Sequence, residues 1–347
     1  MDNNSTAFNN VAKPFGILPN GKQVNSYTIA NTYGISLTVI NYGATITSLN
    51  VPNSKGEVYD IVLGFDTLEG YIDSYSLPSS PYFGAIMGRY AGRIKNGKFS
   101  LNGTDYTLNT NLGEHHLHGG NLGFGRAFWE VTAVETGDNP YIKFKYVSPD
   151  GEENFPGELT IEVKYTLTED NEIVVDYEAV SDRDTIINLT QHSYFNLEGH
   201  KNNMVNQDLQ LFTDSIVETD ELNIPTGNFI EATQQGFDFK QAAPCPKVID
   251  TSFVLTDNDK PAAILSSKKS GLKMTVHTNQ PSVHIYVGGN CFGKLKGKEG
   301  ADYNTLSGIC FETQNFPDAP NRGNFPSAVL RKGEKYNQKS IFKLENI

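Results

Sequence analysis

Three short stretches of this 347-residue chain gather histidine and glutamate among neighbours that a plain core strand does not need. They are Glu114-His115-His116-Leu117-His118-Gly119-Gly120, Gln191-His192-Ser193-Tyr194-Phe195-Asn196-Leu197 and Gly308-Ile309-Cys310-Phe311-Glu312-Thr313-Gln314-Asn315. A carboxylate and an imidazole on either side of a small neutral molecule can take one proton and return another. Such transfer is most efficient when the groups titrate near the working pH. Glu312 follows the apolar run Ile309-Cys310-Phe311, which reads as the end of a core strand. Burial there would disfavour the charged form of a carboxylate, the direction a general base near neutrality requires.

Each segment also has a plainer reading. His116 and His118 fall on one face of an extended stretch, with a Gly pair that lets backbone approach closely, yet they equally suit a solvated turn. His192 among Tyr and Phe suits a buried histidine whose proton is shared with a carbonyl. Glu312 suits an outward-facing residue on a sheet edge. Clustered His115, His116 and His118 raise the question of a metal. Zinc needs three or four spaced ligands with outer support, and neither HExxH nor a Cys/His finger spacing occurs, so no metal is expected. GxSxG and the Walker A loop are also missing, which leaves nucleophilic serine and nucleotide chemistry without a motif.

The elements that must position these residues are strands. Over Glu158 to Leu167 the residues Leu159, Ile161, Val163, Tyr165 and Leu167 share one face and polar residues the other, the period of a half-buried strand. The pattern resumes after Glu169-Asp170-Asn171 with Ile173, Val175, Tyr177 and Ala179, which predicts a hairpin. A second hairpin is expected over Lys98 to Leu108, where Asn102-Gly103 supplies the positive φ angles of a type I′ turn. Further strands are expected at 35–40, 44–51, 127–134, 185–189, 272–277, 282–287 and 306–313. Helix is expected only as a turn or two within 66–74. Strands recurring every dozen residues with Gly-rich connections indicate a large antiparallel sandwich. No linker or repeat divides the chain, so one domain is expected over 1–347, with residues 1–12 loosely held.

Composition narrows the partners. Asp plus Glu number 40 against 28 Lys plus Arg, a net charge of −12 that repels nucleic acid and anionic lipid. No run of apolar residues is long enough to span a bilayer, and the N-terminus lacks a basic segment followed by an apolar one. Cys245, Cys291 and Cys310 are odd in number and lack paired spacing, which fits reduced thiols in the cytoplasm.

Taken together and in order, the segments resemble the galactose mutarotase (aldose 1-epimerase) family. The likeness covers nearly the whole chain: Asn41-Tyr42-Gly43-Ala44, Val62-Leu63-Gly64-Phe65, Tyr82-Phe83-Gly84-Ala85, Gly88-Arg89-Tyr90-Ala91-Gly92-Arg93-Ile94, Leu117-His118-Gly119-Gly120, Gly123-Phe124 with Trp129, Phe155-Pro156-Gly157, His192-Ser193-Tyr194-Phe195-Asn196-Leu197 and Glu312-Thr313-Gln314-Asn315-Phe316-Pro317-Asp318-Ala319. It implies an all-β supersandwich with very little helix and an open sugar cleft. It also implies interconversion of α and β anomers of hexoses such as D-galactose and D-glucose by ring opening and closure, with no cofactor.

Carried over by position, Glu312 takes the place of the general base on the C1 hydroxyl and His192 that of the general acid at the ring oxygen. His118 matches a second histidine that hydrogen-bonds the substrate. Arg93 and Asp250 match groups that grip sugar hydroxyls, and Tyr194 a pocket-lining residue. Gly92 stands where many members carry Asn. His284 stands where some relatives have a Gln that contacts sugar, so His284 is expected to bind substrate and to alter epimer preference. His115 and His116 are expected at the pocket rim. The partner implied is a small sugar, and monomer and dimer are both compatible with the sequence. Anomerisation of hexose 6-phosphates would call for clustered Arg or Lys, and beyond Arg89 and Arg93 none stands near the motifs. A non-catalytic sugar binder has no use for the Glu312/His192 pair, and a glycosidase needs two carboxylates across the scissile bond.

Overall fold

The alternation of apolar and polar residues is translated into three large sheets, all of whose strand pairs are antiparallel. They appear in the computed structural model, which describes residues 12–257, 259–288, 291 and 293–347. A five-stranded meander runs Ala12–Ile17, Gln23–Ala30, Ser36–Ile40, Thr45–Pro52 and Val58–Asp60. The largest sheet has nine strands, with Leu159–Leu167, Glu172–Ser181, Lys335–Asn346 and Leu272–Thr278 at its centre. The third has six, in the order Tyr194–Phe195, Ile309–Gln314, Ser282–Val287, Ile249–Val254, Ser215–Thr219 and Pro225–Glu231. The only α-helix among the described residues is Leu68–Ser74, capped by the Thr67 hydroxyl, which accepts from the Gly70 N–H. Ala12 opens the first strand rather than a loose terminus; the remainder of the segment expected to be loosely held, 1–11, lies outside the described residues.

One hydrophobic cluster joins the inner faces of the three sheets, from Tyr27 and Leu37 through Ile161, Val163 and Tyr165 to Val283, Ile285, Phe311 and Phe342. Both expected hairpins are present. Leu159 pairs with Ser181 and Leu167 with Ile173, and Asn102 and Gly103 adopt φ of 52° and 79°. Several expected strands differ at their ends. The strand expected at 185–189 is only Thr185–Ile186, because the Asn188 side chain binds Ala91 O, Asn315 O and the Asn315 N–H, tying this stretch to loops instead of a ladder. The one expected at 127–134 starts at Glu130, since Ala127 to Trp129 pair with the turn at Asn41 to Gly43. The one expected at 306–313 runs Ile309–Gln314, so Glu312 lies inside a strand and not at its end.

The six-stranded sheet positions the site. Ile309, Phe311 and Thr313 face the core, where Thr313 Oγ1 meets Ser340 Oγ of the nine-stranded sheet at 2.6 Å. Cys310, Glu312 and Gln314 face the other way. Register then sets one rung across three strands, Ser252 opposite His284 opposite Glu312. A neighbouring rung sets Asp250 opposite Tyr286 opposite Cys310 opposite Tyr194.

A loop carries His118 over this face. His118 itself has φ of 50°, and Gly119 and Gly120 follow at 90° and 97°. A Cβ at Gly119 would lie 1.7 Å from the Gly88 carbonyl oxygen, and one at Gly120 2.2 Å from Glu153 Oε2. Buried Glu153 explains the second approach: its carboxylate accepts from the Asn121 and Leu122 N–H groups and from Asn109 Nδ2, pinning the loop beyond His118. Gly119→Ala is therefore expected to lose about 1–3 kcal/mol more than Gly113→Ala, a positive-φ glycine with open space around it. Urea denaturation of the two variants checks this, and equal losses would contradict the packing described.

Candidate active site

Glu312 and His192 are both almost wholly buried and meet at 3.4 Å, Oε1 to Nε2. The second carboxylate oxygen, Oε2, has no hydrogen-bond partner among the described residues. A buried polar atom left in that state costs about 1–3 kcal/mol, more when charged, unless a bound molecule satisfies it. On its far side the His192 ring meets the Cys310 thiol, Nδ1 to Sγ at 3.7 Å. Burial holds the His192 imidazole below its ordinary value, partly offset by the Glu312 charge. Burial also pushes the Cys310 thiol well up, so it faces His192 as a neutral S–H group.

His118 sits across from this pair, its ring 5.2 Å from that of His192 and edge-on to it. The Gly92 N–H donates to His118 Nδ1 at 3.2 Å. An acceptor at Nδ1 places the ring proton of neutral imidazole on Nε2, so His118 offers the cavity a donor. Burial, with repulsion from His192 and Arg93, holds this ring well below its ordinary value and keeps it neutral. His118, His192 and Glu312 bring one potential ligand atom each within 4.8 Å of one another. The tautomer imposed on His118 does not suit a metal, which needs a lone pair where Nε2 carries hydrogen.

At the other end Asp250 accepts from Arg93 at 3.2 Å, from Asn223 Nδ2 at 3.0 Å and from His284 Nε2 at 2.8 Å. Burial raises its carboxyl pKa, but His284 and Arg93 outweigh burial and hold it far below the usual carboxylate range. These residues, with Tyr194, enclose a cavity of ≈ 230 Å³ that also reaches Tyr82, Tyr286, Gln314 and Pro317. Pro317 closes on Gly92, where a Cβ would stand 3.2 Å from its ring. One wall, then, carries a carboxylate oxygen and an imidazole suited to moving protons, and the opposite wall an ion-paired grip for hydroxyl groups.

Glu312, His192, His118, Arg93, Asp250, Tyr194 and His284 all line this one cavity. His115 and His116 do not stand at its rim. Both are buried, His116 donating from Nδ1 to Asn109 O at 2.7 Å and packing on Phe155, because the short strand His116–Leu117 turns its face inward. Arg89 is also buried, held by the carbonyls of Pro156 and Gly157 and the Ser148 hydroxyl, and does not line the cavity. Sequence reasoning missed Tyr82, whose ring lies 5.1 Å from His118 and 5.7 Å from His192. It also missed Gln314, whose buried Oε1 is unpartnered. Period-two spacing from Glu312 could have found Gln314; Tyr82, at φ of 53° in a turn, gives no periodic signal.

The aldose 1-epimerase family model matches residues 25–343. Galactose mutarotase of Bos taurus is 39% identical over 341 residues, covering 95% of this chain and 96% of its own. Aldose 1-epimerase of Escherichia coli (strain K12) is 32% identical over 341 residues, covering 92% and 95%. The crystal structure of the GalM/aldose epimerase homologue from C. elegans superposes with a TM-score of 0.85 at 30% identity, covering 93% of this chain and 99% of that one. Likeness over the whole length, in sequence and in fold, around a buried carboxylate facing two histidines, leads to one conclusion: the chain belongs to the aldose 1-epimerase family, isomerases that interconvert the α and β anomers of aldoses.

Proposed function

We propose that Glu312 and His192 are the proton-transfer pair of this isomerase, acting on hexoses such as D-galactose and D-glucose. The observation that carries the reading is the unpartnered Glu312 Oε2 beside the Glu312–His192 contact. In the forward step Glu312 takes the proton from the C1 hydroxyl, the C1–O5 bond breaks as O1 becomes the aldehyde oxygen, and His192 gives a proton to O5. The pair passes from carboxylate and imidazolium to carboxylic acid and neutral imidazole without gaining or losing a proton. Rotation about C1–C2 presents the other face of the aldehyde, and the reverse transfers close the ring and restore the starting state. His118, as a neutral donor, hydrogen-bonds the sugar beside the anomeric centre, and Arg93 and Asp250 hold hydroxyls at the far end.

We take the chain to act as one domain over 1–347, on the support of a core cluster that runs from Tyr27 to Leu344. We place it in the cytoplasm on the support of three unpaired cysteines, Cys245, Cys291 and Cys310. Among the described residues no helix is long and apolar enough to cross a membrane. Hexose 6-phosphates are disfavoured as substrates because Arg89 is buried against carbonyls and Arg93, which lines the cavity, is paired with Asp250, so the two do not form a phosphate-binding cluster.

Polarimetry on freshly dissolved α-D-galactose and α-D-glucose tests the reading. Glu312→Gln and His192→Asn are each expected to lower kcat by ~10²–10⁴-fold, the range of general acid–base catalysis. Rates within twofold of wild type would overturn the roles. The pH profile gives a second check. Because burial lowers the His192 pKa, its active protonated form is lost as pH rises, with kcat/KM falling about a midpoint below the ordinary imidazole value of about 6.5. An alkaline limb that first appears above that value would count against His192 as the acid.

A further inference from the structure

His284 lines the cavity, yet neither of its ring nitrogens is left for a sugar. Nε2 lies 2.8 Å from Asp250 Oδ1 and Nδ1 2.8 Å from Ser252 Oγ. An ionised carboxylate only accepts, so Nε2 must carry hydrogen. A serine hydroxyl can accept from Nδ1–H or donate to a bare Nδ1, and therefore accommodates the charged ring as well as the neutral one. We propose that His284 is a positioning residue: as an imidazolium it holds the sugar-binding carboxylate of Asp250 and lends its charge to Glu312 across the strand pair. The inference rests on the reading of Asp250 and Glu312 given above.

The surroundings favour the charged ring. His284 stands between two carboxylates, Asp250 on the strand at one side and Glu312 directly opposite on the other. The other charged or titratable groups that face it are Arg93, beyond Asp250, and His118 and His192 across the cavity. Arg93 opposes the charge, and burial holds both other imidazoles below their ordinary values, which weakens their opposition. Burial alone would discharge the ring, but the Asp250 hydrogen bond and the Glu312 charge outweigh burial and raise its pKa above the ordinary value.

Asp250 shows what the clamp achieves. A carboxylate has about four acceptor sites. His284, Arg93 and Asn223 occupy three, leaving a single site for a substrate hydroxyl. Recognition by Asp250 is thus confined to one direction, set by its protein partners. A glutamine at position 284 could keep one donor to Asp250 but not the charge, and alanine keeps neither.

Two measurements test this. In protein labelled with ¹⁵N-histidine, the His284 ring, assigned by its loss in His284→Gln, should show both nitrogens protonated at pH 7. In Asp250→Asn its midpoint should fall by at least one pH unit. In galactose kinetics, His284→Ala should raise KM roughly tenfold with a smaller change in kcat, and His284→Gln should restore part of the KM. In wild type, KM should rise as pH climbs through the His284 midpoint, a dependence absent from both variants. A neutral His284 ring at pH 7, or a KM within twofold of wild type in His284→Ala, would overturn the proposal. Loss of the proposed function would show differently, as wild-type protein without anomerase activity, and the ring titration would still decide the charge on His284.

Discussion

A carboxylate held out of water, with one oxygen against an imidazole and the other unpartnered among the described residues, is the constraint to which the rest of this molecule answers. Glu312 would be expensive to bury as a structural residue, because its second oxygen has lost water and meets no donor among the described residues. The fold keeps it in place by making it part of a strand whose alternate residues are locked into the core. Phe311 and Thr313 pack against the nine-stranded sheet and cannot turn over without exposing themselves. Strand alternation thus converts hydrophobic packing on one face into a fixed carboxylate on the other.

The surrounding groups answer to the same constraint by controlling protons. His192 faces a thiol rather than a carboxylate on its far side, so nothing there fixes it as a permanent cation. His118 is fixed as a neutral donor by one backbone N–H, and the positive-φ turn that brings it over the sheet is anchored by buried Glu153. The opposite pole, where Arg93 and His284 face Asp250, concentrates charge in ion pairs away from the Glu312–His192 contact. His118 held as a neutral donor, His192 left able to gain and lose its proton, and His284 bonded to a carboxylate differ within one cavity because each ring nitrogen meets a different partner.

Much of this is legible in the amino-acid sequence, and the exceptions share a cause. Hairpins such as Leu159–Leu167 with Glu172–Ser181 were visible because their buried faces are apolar from Leu159 to Leu167 and from Ile173 to Ala179. The twelve-residue strand Lys335–Asn346, central to the largest sheet, was not, because its buried face includes Gln338 and Ser340. Their polar atoms are satisfied by Leu189 O, Thr313 O and Thr313 Oγ1, partners that only the folded chain supplies. The site shows the same division. Glu312, His192 and His118 sit in motifs that family resemblance makes readable, whereas His284 lost its expected hydroxyl contact to Asp250 and Ser252, and His116 lost its place at the rim to Asn109 and Phe155. Residue type and spacing indicate which groups can move protons; which nitrogen is free to do so depends on contacts far away in sequence.

The chemistry of the site turns on where the anomeric centre lies, and a crystal structure of the Glu312→Gln variant soaked with D-galactose tests this most directly. The predicted result is a single pyranose with its C1 hydroxyl within hydrogen-bonding distance of the side chain at 312, its ring oxygen toward His192 Nε2, and other hydroxyls on Arg93 and Asp250. A sugar bound the other way round, with C1 against Asp250 and a non-anomeric hydroxyl beside residue 312, would contradict it.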